Sequence, residues 1–103
     1  MRTVRYSRTF ALAFDNLLAQ GVPHFGLDLI MAKRALVRRT IEQYLAVFPE
    51  IKRPHPALGL VVYPISKTPF VVLYDFDDTE LRVHFVFHKH AALEDLDPAK
   101  AEW

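Results

Sequence analysis

The stretch FVVLYDFDDTELRVHFVFH, Phe70 to His88, decides the fold. Two apolar runs, FVVLYDF and LRVHFVFH, flank the turn-forming residues DDTE. Both runs are rich in Val, Phe and Tyr, which suit a pleated, half-buried surface, and so short a link between strands forces antiparallel pairing. Upstream, LGLVVYPI (58–65) and the turn SKTP add a further strand. Leu58 to His88 therefore reads as a three-stranded meander.

Working outward, TVRYS (3–7) alternates Val4 and Tyr6 against Thr3, Arg5 and Ser7, a short strand with one apolar face. Ser7 can cap the helix that follows, because its hydroxyl can accept an orphan N–H of the first turn. That helix, FALAFDNLLAQ, lines up Phe10, Ala13, Phe14, Leu17 and Leu18 at helical spacing. Gly21 is expected just past its end, with Pro23 blocking continuation. A second helix is predicted from about Phe25 to Phe48, with Ile30, Leu36 or Val37, Ile41, Tyr44 or Leu45, and Phe48 on its apolar side. Two helices joined by about four residues must lie antiparallel. Pro49 and the connector IKRPHPALG end the helical region, and AALEDLDPAKAEW (91–103) offers one helical turn and is expected to fray until a partner orders it.

The resulting order, β-α-α-β-β-β, is an α+β domain spanning 1–103. A lone first strand must join the meander, and the helical hairpin must cover one sheet face, leaving the other open.

At 103 residues, with 51% apolar residues and eight Phe, the chain can bury roughly 65% of its unfolded surface. No apolar run reaches the length of a membrane span, charges interrupt the N-terminus where a signal peptide needs its apolar centre, and a cytoplasmic protein is expected. Zero cysteines exclude disulfides and thiolate metal sites. The net charge of +1 hides polarity: residues 1–53 hold nine Lys/Arg against four acids (+5), and the remainder four against eight (−4). A charged partner or ordinary solvated helices would both account for this.

The histidines His84, His88 and His90 raise the question of chemistry. On a regularly alternating strand, Leu81, Val83, Phe85 and Phe87 face the helices, and Arg82, His84, Val86 and His88 face the open side. His84 and His88 are then about 13 Å apart, too far to share a metal whose ligand nitrogens lie at about 2.1 Å. His88 and His90 come nearer, but no third ligand supports them, so neither metal nor cofactor is expected. Arg82, His84 and His88, with Lys67, Lys89 and His90 near the strand ends, could move protons and hold a phosphate, as RNA cleavage requires. The plainer reading is the polar, water-facing side of an antiparallel sheet. The acidic run Asp75–Glu80 reads as a turn rather than a metal cluster.

The segments VRYS, ALGLVVYPI, TPFVVLYDFDDTELRVHFVFH and KHAALEDL, in this order around a helical hairpin, resemble the RelE/ParE superfamily of bacterial type II toxin–antitoxin toxins. The resemblance covers nearly the whole chain and implies one of two mechanisms. The RelE branch implies a ribosome-dependent mRNA endonuclease, here with Arg82, His88, Lys89, His90 and Lys67 as its candidates. However, Lys67-Thr68-Pro69-Phe70 stands where that branch would have an Arg, and no Tyr follows Tyr74. The ParE branch, which is similar without that catalytic set, implies inhibition of DNA gyrase by binding, with His84, His88, Lys89 and His90 as target-binding residues. Both branches imply neutralisation by a small antitoxin, which for the ParE-like reading is ParD-like with an acidic C-terminal segment, docking on Phe10, Phe14, Leu17, Arg34 and Arg38. A decayed toxin that only binds its partner is a third reading.

Overall fold

Val4 and Tyr6 turn inward from the first strand, β1 (Thr3–Tyr6), and Ser7 ends it by starting a helix. In this computed structural model, which describes residues 1–103, the Ser7 hydroxyl accepts from Phe10 N (2.8 Å) and donates to the His84 carbonyl (2.6 Å). One fully buried side chain thus caps α1 (Arg8–Phe25) and ties it to the sheet. Ser7→Ala is expected to lower stability by about 1–3 kcal/mol, since it removes a cap and leaves buried partners unsatisfied. An unchanged urea midpoint would refute that role.

α1 does not stop before Gly21, as the sequence suggests, but runs through Pro23 to Phe25. Gly21 is a packing residue: a Cβ there would lie 2.7 Å from Ile30 Cδ1. Ile30 Cδ1 is the end of a flexible side chain, so the contact marks tight packing between the helices rather than a position that only glycine can fill. The connection is a single residue, Gly26, at φ 81°, rather than four. Only glycine adopts that conformation freely, which allows so abrupt a reversal into α2 (Leu27–Arg39). α2 then widens into a π-helical turn over Thr40–Leu45, instead of continuing as α-helix to Phe48. Ala46 N bonds Ile41 O, and the Thr40 hydroxyl bonds the Leu36 carbonyl. The wider turn buries Val37, Ile41 and Leu45 completely and leaves Tyr44 and Phe48 exposed, which resolves the open choices along the stripe.

The meander is as expected: β2 (Val61–Pro64), β3 (Phe70–Phe76) and β4 (Glu80–His88). β1 joins it parallel to β4, so the sheet order is β1-β4-β3-β2. The helices cover one face, where Phe10, Phe14, Val37, Ile41, Val72, Tyr74, Leu81 and Val83 belong to the main core.

The regular alternation predicted for β4 fails at one residue. Tyr74 pairs with Val83 but Leu73 pairs with Phe85, so His84 is an extra residue, a β-bulge. Beyond it every side chain changes sides relative to plain alternation. Leu81 and Val83 face the helices as expected. Phe85 and Phe87 do not: they face away, while Val86 packs in the main core. Nor is the far face open. Phe85, Leu60, Val71 and Leu73 form a second buried cluster, joined by Leu58 from the connector and by Leu96 and Ala101 from the tail. The tail has no α-helical turn; it runs irregularly to a 3₁₀ turn at Pro98–Lys100. Its end docks on α1, where Arg8 N and Thr9 N donate to the Glu102 carbonyl and Glu102 N donates to Thr9 Oγ1. Two orphan N–H groups of the helix start are thereby satisfied.

Candidate functional site

The six polar residues expected on one sheet face fall into two separate groups. Arg82 and His84 lie near the β3–β4 turn, while His88, Lys89 and His90 lie at the other end of β4, about 20 Å along the strand from Arg82, with Lys67 lining the same groove as His88.

Arg82 is committed to carboxylates. Its Nε bonds Asp75 Oδ1 (2.9 Å), and its Nη1 bonds both Asp77 Oδ2 (2.9 Å) and Glu80 Oε1 (3.2 Å). Hydrogen bonds to Asp77 first, then Asp75, hold the guanidinium above its usual pKa. Reciprocally Arg82, with the N–H groups of Thr79 and Glu80, holds the Asp77 carboxyl well below its ordinary value of 3.8. A depressed carboxylate stabilises the fold above its ordinary pKa and loses that contribution as pH falls through the folded value. The urea midpoint is therefore expected to fall below about pH 4, and Asp77→Asn to flatten that part of the profile. An identical profile in the variant would exclude Asp77 as the cause.

His84 is likewise engaged. Its Nε2 lies 2.9 Å from Asp75 Oδ1, and its ring meets Trp103 edge-on at 4.9 Å between centroids. Arg5 stacks over the same indole at 5.0 Å. His84 Nδ1 is buried without a hydrogen-bond partner. The bulge and the tail together turn this histidine into a packed residue rather than a presented one.

At the opposite end, His88 faces the helical side and lines a groove of about 680 Å³ between the hairpin and the β2–β3 turn. Lys67 lies on its rim, with two residues that sequence reasoning did not select, His24 and Lys33. Leu17, Phe25, Leu29 and Phe70 supply apolar wall. Lys33 Nζ bonds the Lys67 carbonyl, joining α2 to the turn. Lys67 has φ 65°, the chain's one non-glycine residue in the left-handed region. His88 and His90 approach with ring centroids 5.4 Å apart, and Lys89 N bonds the Pro69 carbonyl. No grouping of histidines and carboxylates has the form of a metal site.

A third region is the small cleft, about 120 Å³, where Arg34 and Arg38 overhang Phe10 and Phe14. Phe10 and Phe14 are core residues, 3% and 4% exposed, whereas Leu17 belongs to the larger groove. Arg38 Nε and the Tyr6 hydroxyl both donate to Glu42 Oε2, at 3.0 and 2.9 Å. Burial, reinforced by the bond to Glu42, pushes the Tyr6 hydroxyl pKa upward. Burial also pushes the Glu42 carboxyl up, but the bonds from Arg38 and Tyr6 prevail and leave it lowered. Arg34 and Arg39 make no ion pair. A periodicity reading ranks residues by face and so missed Tyr6–Glu42–Arg38, which joins β1 to the π turn 36 residues on.

No family model and no curated protein matches the sequence. Among solved structures, a chain described as belonging to the chromosomal ParDE TA system from P. aeruginosa superposes with a TM-score of 0.73, covering 85% of this chain and 96% of that one. The two folds are the same. Sequence identity is 15%, so the likeness is one of architecture, not of side chains. It agrees with the α+β arrangement read from the sequence: strand, helical hairpin, and three further strands in one sheet. No helix is long and apolar enough to cross a membrane.

Proposed function

We propose that this chain is the toxin of a type II toxin–antitoxin pair, ParE-like, which acts by binding DNA gyrase and is silenced by a ParD-like antitoxin with an acidic C-terminal segment. The fold held in common with the ParDE-system chain carries this reading. The state of Arg82 supports binding over RNA cleavage: a guanidinium bonded to three carboxylates is poorly placed to neutralise a phosphate. Arg34 and Arg39 on α2, free of ion pairs, suit an acidic partner segment beside the Phe10–Phe14 cleft. His84 is engaged with Asp75 and Trp103, which leaves His88, Lys89 and His90 as the accessible members of the proposed target surface.

Expression without the antitoxin is expected to arrest growth, and the purified chain to inhibit supercoiling of relaxed plasmid by gyrase. Full supercoiling at large molar excess would overturn the proposal. One observation favours a second reading, an mRNA endonuclease: His88, whose ring approaches His90, lines the same groove as Lys67. Discrete cuts in translated transcripts, lost in His88→Ala, would replace the first reading with the second.

A further inference from the structure

The groove between the hairpin and the β2–β3 turn combines a single sign of charge with a poorly covered apolar wall. Its four ionisable lining residues, His24, Lys33, Lys67 and His88, are all basic, and no Asp or Glu lines it. Its walls are otherwise largely apolar, and two of them are poorly covered: Phe25 is 64% exposed and Leu29 45%. An exposed aromatic and an exposed leucine facing a recess are costly to leave in water, and a bound apolar group would cover them. The volume, about 680 Å³, falls within the range of small-ligand pockets.

The rim is also held in an unusual conformation. Lys67 sits at φ 65°, in the left-handed region that L-residues other than Asn and Asp seldom adopt, and its carbonyl is held by Lys33 Nζ. This arrangement places two ammonium groups at one lip of an apolar recess. Lys67 forms no side-chain hydrogen bond, and Lys33 uses one of its three donors, so both can still receive an anion.

The geometry points to a binding site for a small anionic amphiphile, a carboxylate with an apolar chain or aromatic body, its head at Lys33 and Lys67 and its body against Phe25 and Leu29. The site is independent of the toxin reading: it requires only the groove. A single-chain carboxylate satisfies both halves of it at once, charge complementarity at the lip and apolar burial on the wall.

Decanoate and decanol, titrated into the full chain by calorimetry and followed by amide NMR, test the assignment. Decanoate is expected to bind at one equivalent, shifting Gly21, Leu29 and Thr68, and decanol to bind at least about tenfold more weakly, as befits loss of a charge-assisted contact. Lys67→Glu and Leu29→Glu change exposed side chains, so the fold, checked by circular dichroism, is retained; each is expected to weaken decanoate by about tenfold or more. Equal binding of decanol, undiminished binding by both folded variants, or no binding of decanoate would overturn the site. Tight binding of an acidic leucine-containing peptide with none of decanoate would reassign the groove to peptide docking and overturn it as well.

Discussion

Phe85→Ala is expected to lower stability by about 3–5 kcal/mol and at the same time to loosen residues 91–103. Phe85 is 5% exposed and is the largest buried member of the second cluster, against which Leu96 and Ala101 of the tail pack. Truncating it removes the surface on which the tail lies and opens a cavity between the tail and β4. Urea unfolding measures the first effect; amide exchange or limited proteolysis within 91–103 measures the second. The pairing of the two effects is the informative part. On a regularly alternating strand Phe85 would face the helices, and its loss would loosen α1 while leaving the tail untouched. That outcome would refute the bulge at His84.

Phe14→Ala should have an effect of similar size on the other side of the sheet, about 3–5 kcal/mol. Phe14 is 4% exposed and joins α1 to the meander, with its ring 5.3 Å from Phe10 and edge-on to Phe70 at 5.7 Å. A domain of this size has about 5–15 kcal/mol in total, so the variant should unfold at a much lower urea concentration, with a similar slope. Phe25→Ala, on the same helix but 64% exposed, should stay within about 0.5 kcal/mol. Equal losses in both would mean that α1 packs by a different face. The comparison also bears on the proposed antitoxin surface. A Phe14 variant with weakened partner affinity reports first on folding, so Arg34 is the better probe of that surface.

The amino-acid sequence by itself determined the elements and their order. FVVLYDF and LRVHFVFH could pair only as a hairpin, because DDTE allows no other return, and Ser7 marked the start of α1 by its capping chemistry. These are local effects, written in turn residues, caps and periodicity within a dozen positions. The larger groove was only half legible: Lys67 and His88 drew notice as charges near strand ends. His24 and Lys33 did not, because their relation to that turn depends on how the hairpin is folded back at Gly26.

Tertiary structure alone decided two things. It carried α1 through Gly21 and Pro23, where Ile30 of α2 packs over Gly21, a contact between helices that neither one shows alone. It placed the bulge at His84, where Ser7 donates to the His84 carbonyl and Asp75 receives its imidazole, contacts made across 77 and 9 residues. From that single extra residue follow the reversed facing of Phe85 and Phe87, the second core, and the docking of a tail that composition alone suggests would fray. A strand's period of two is exact only while its ladder is regular, and the ladder is set by partners that the strand's own sequence does not contain.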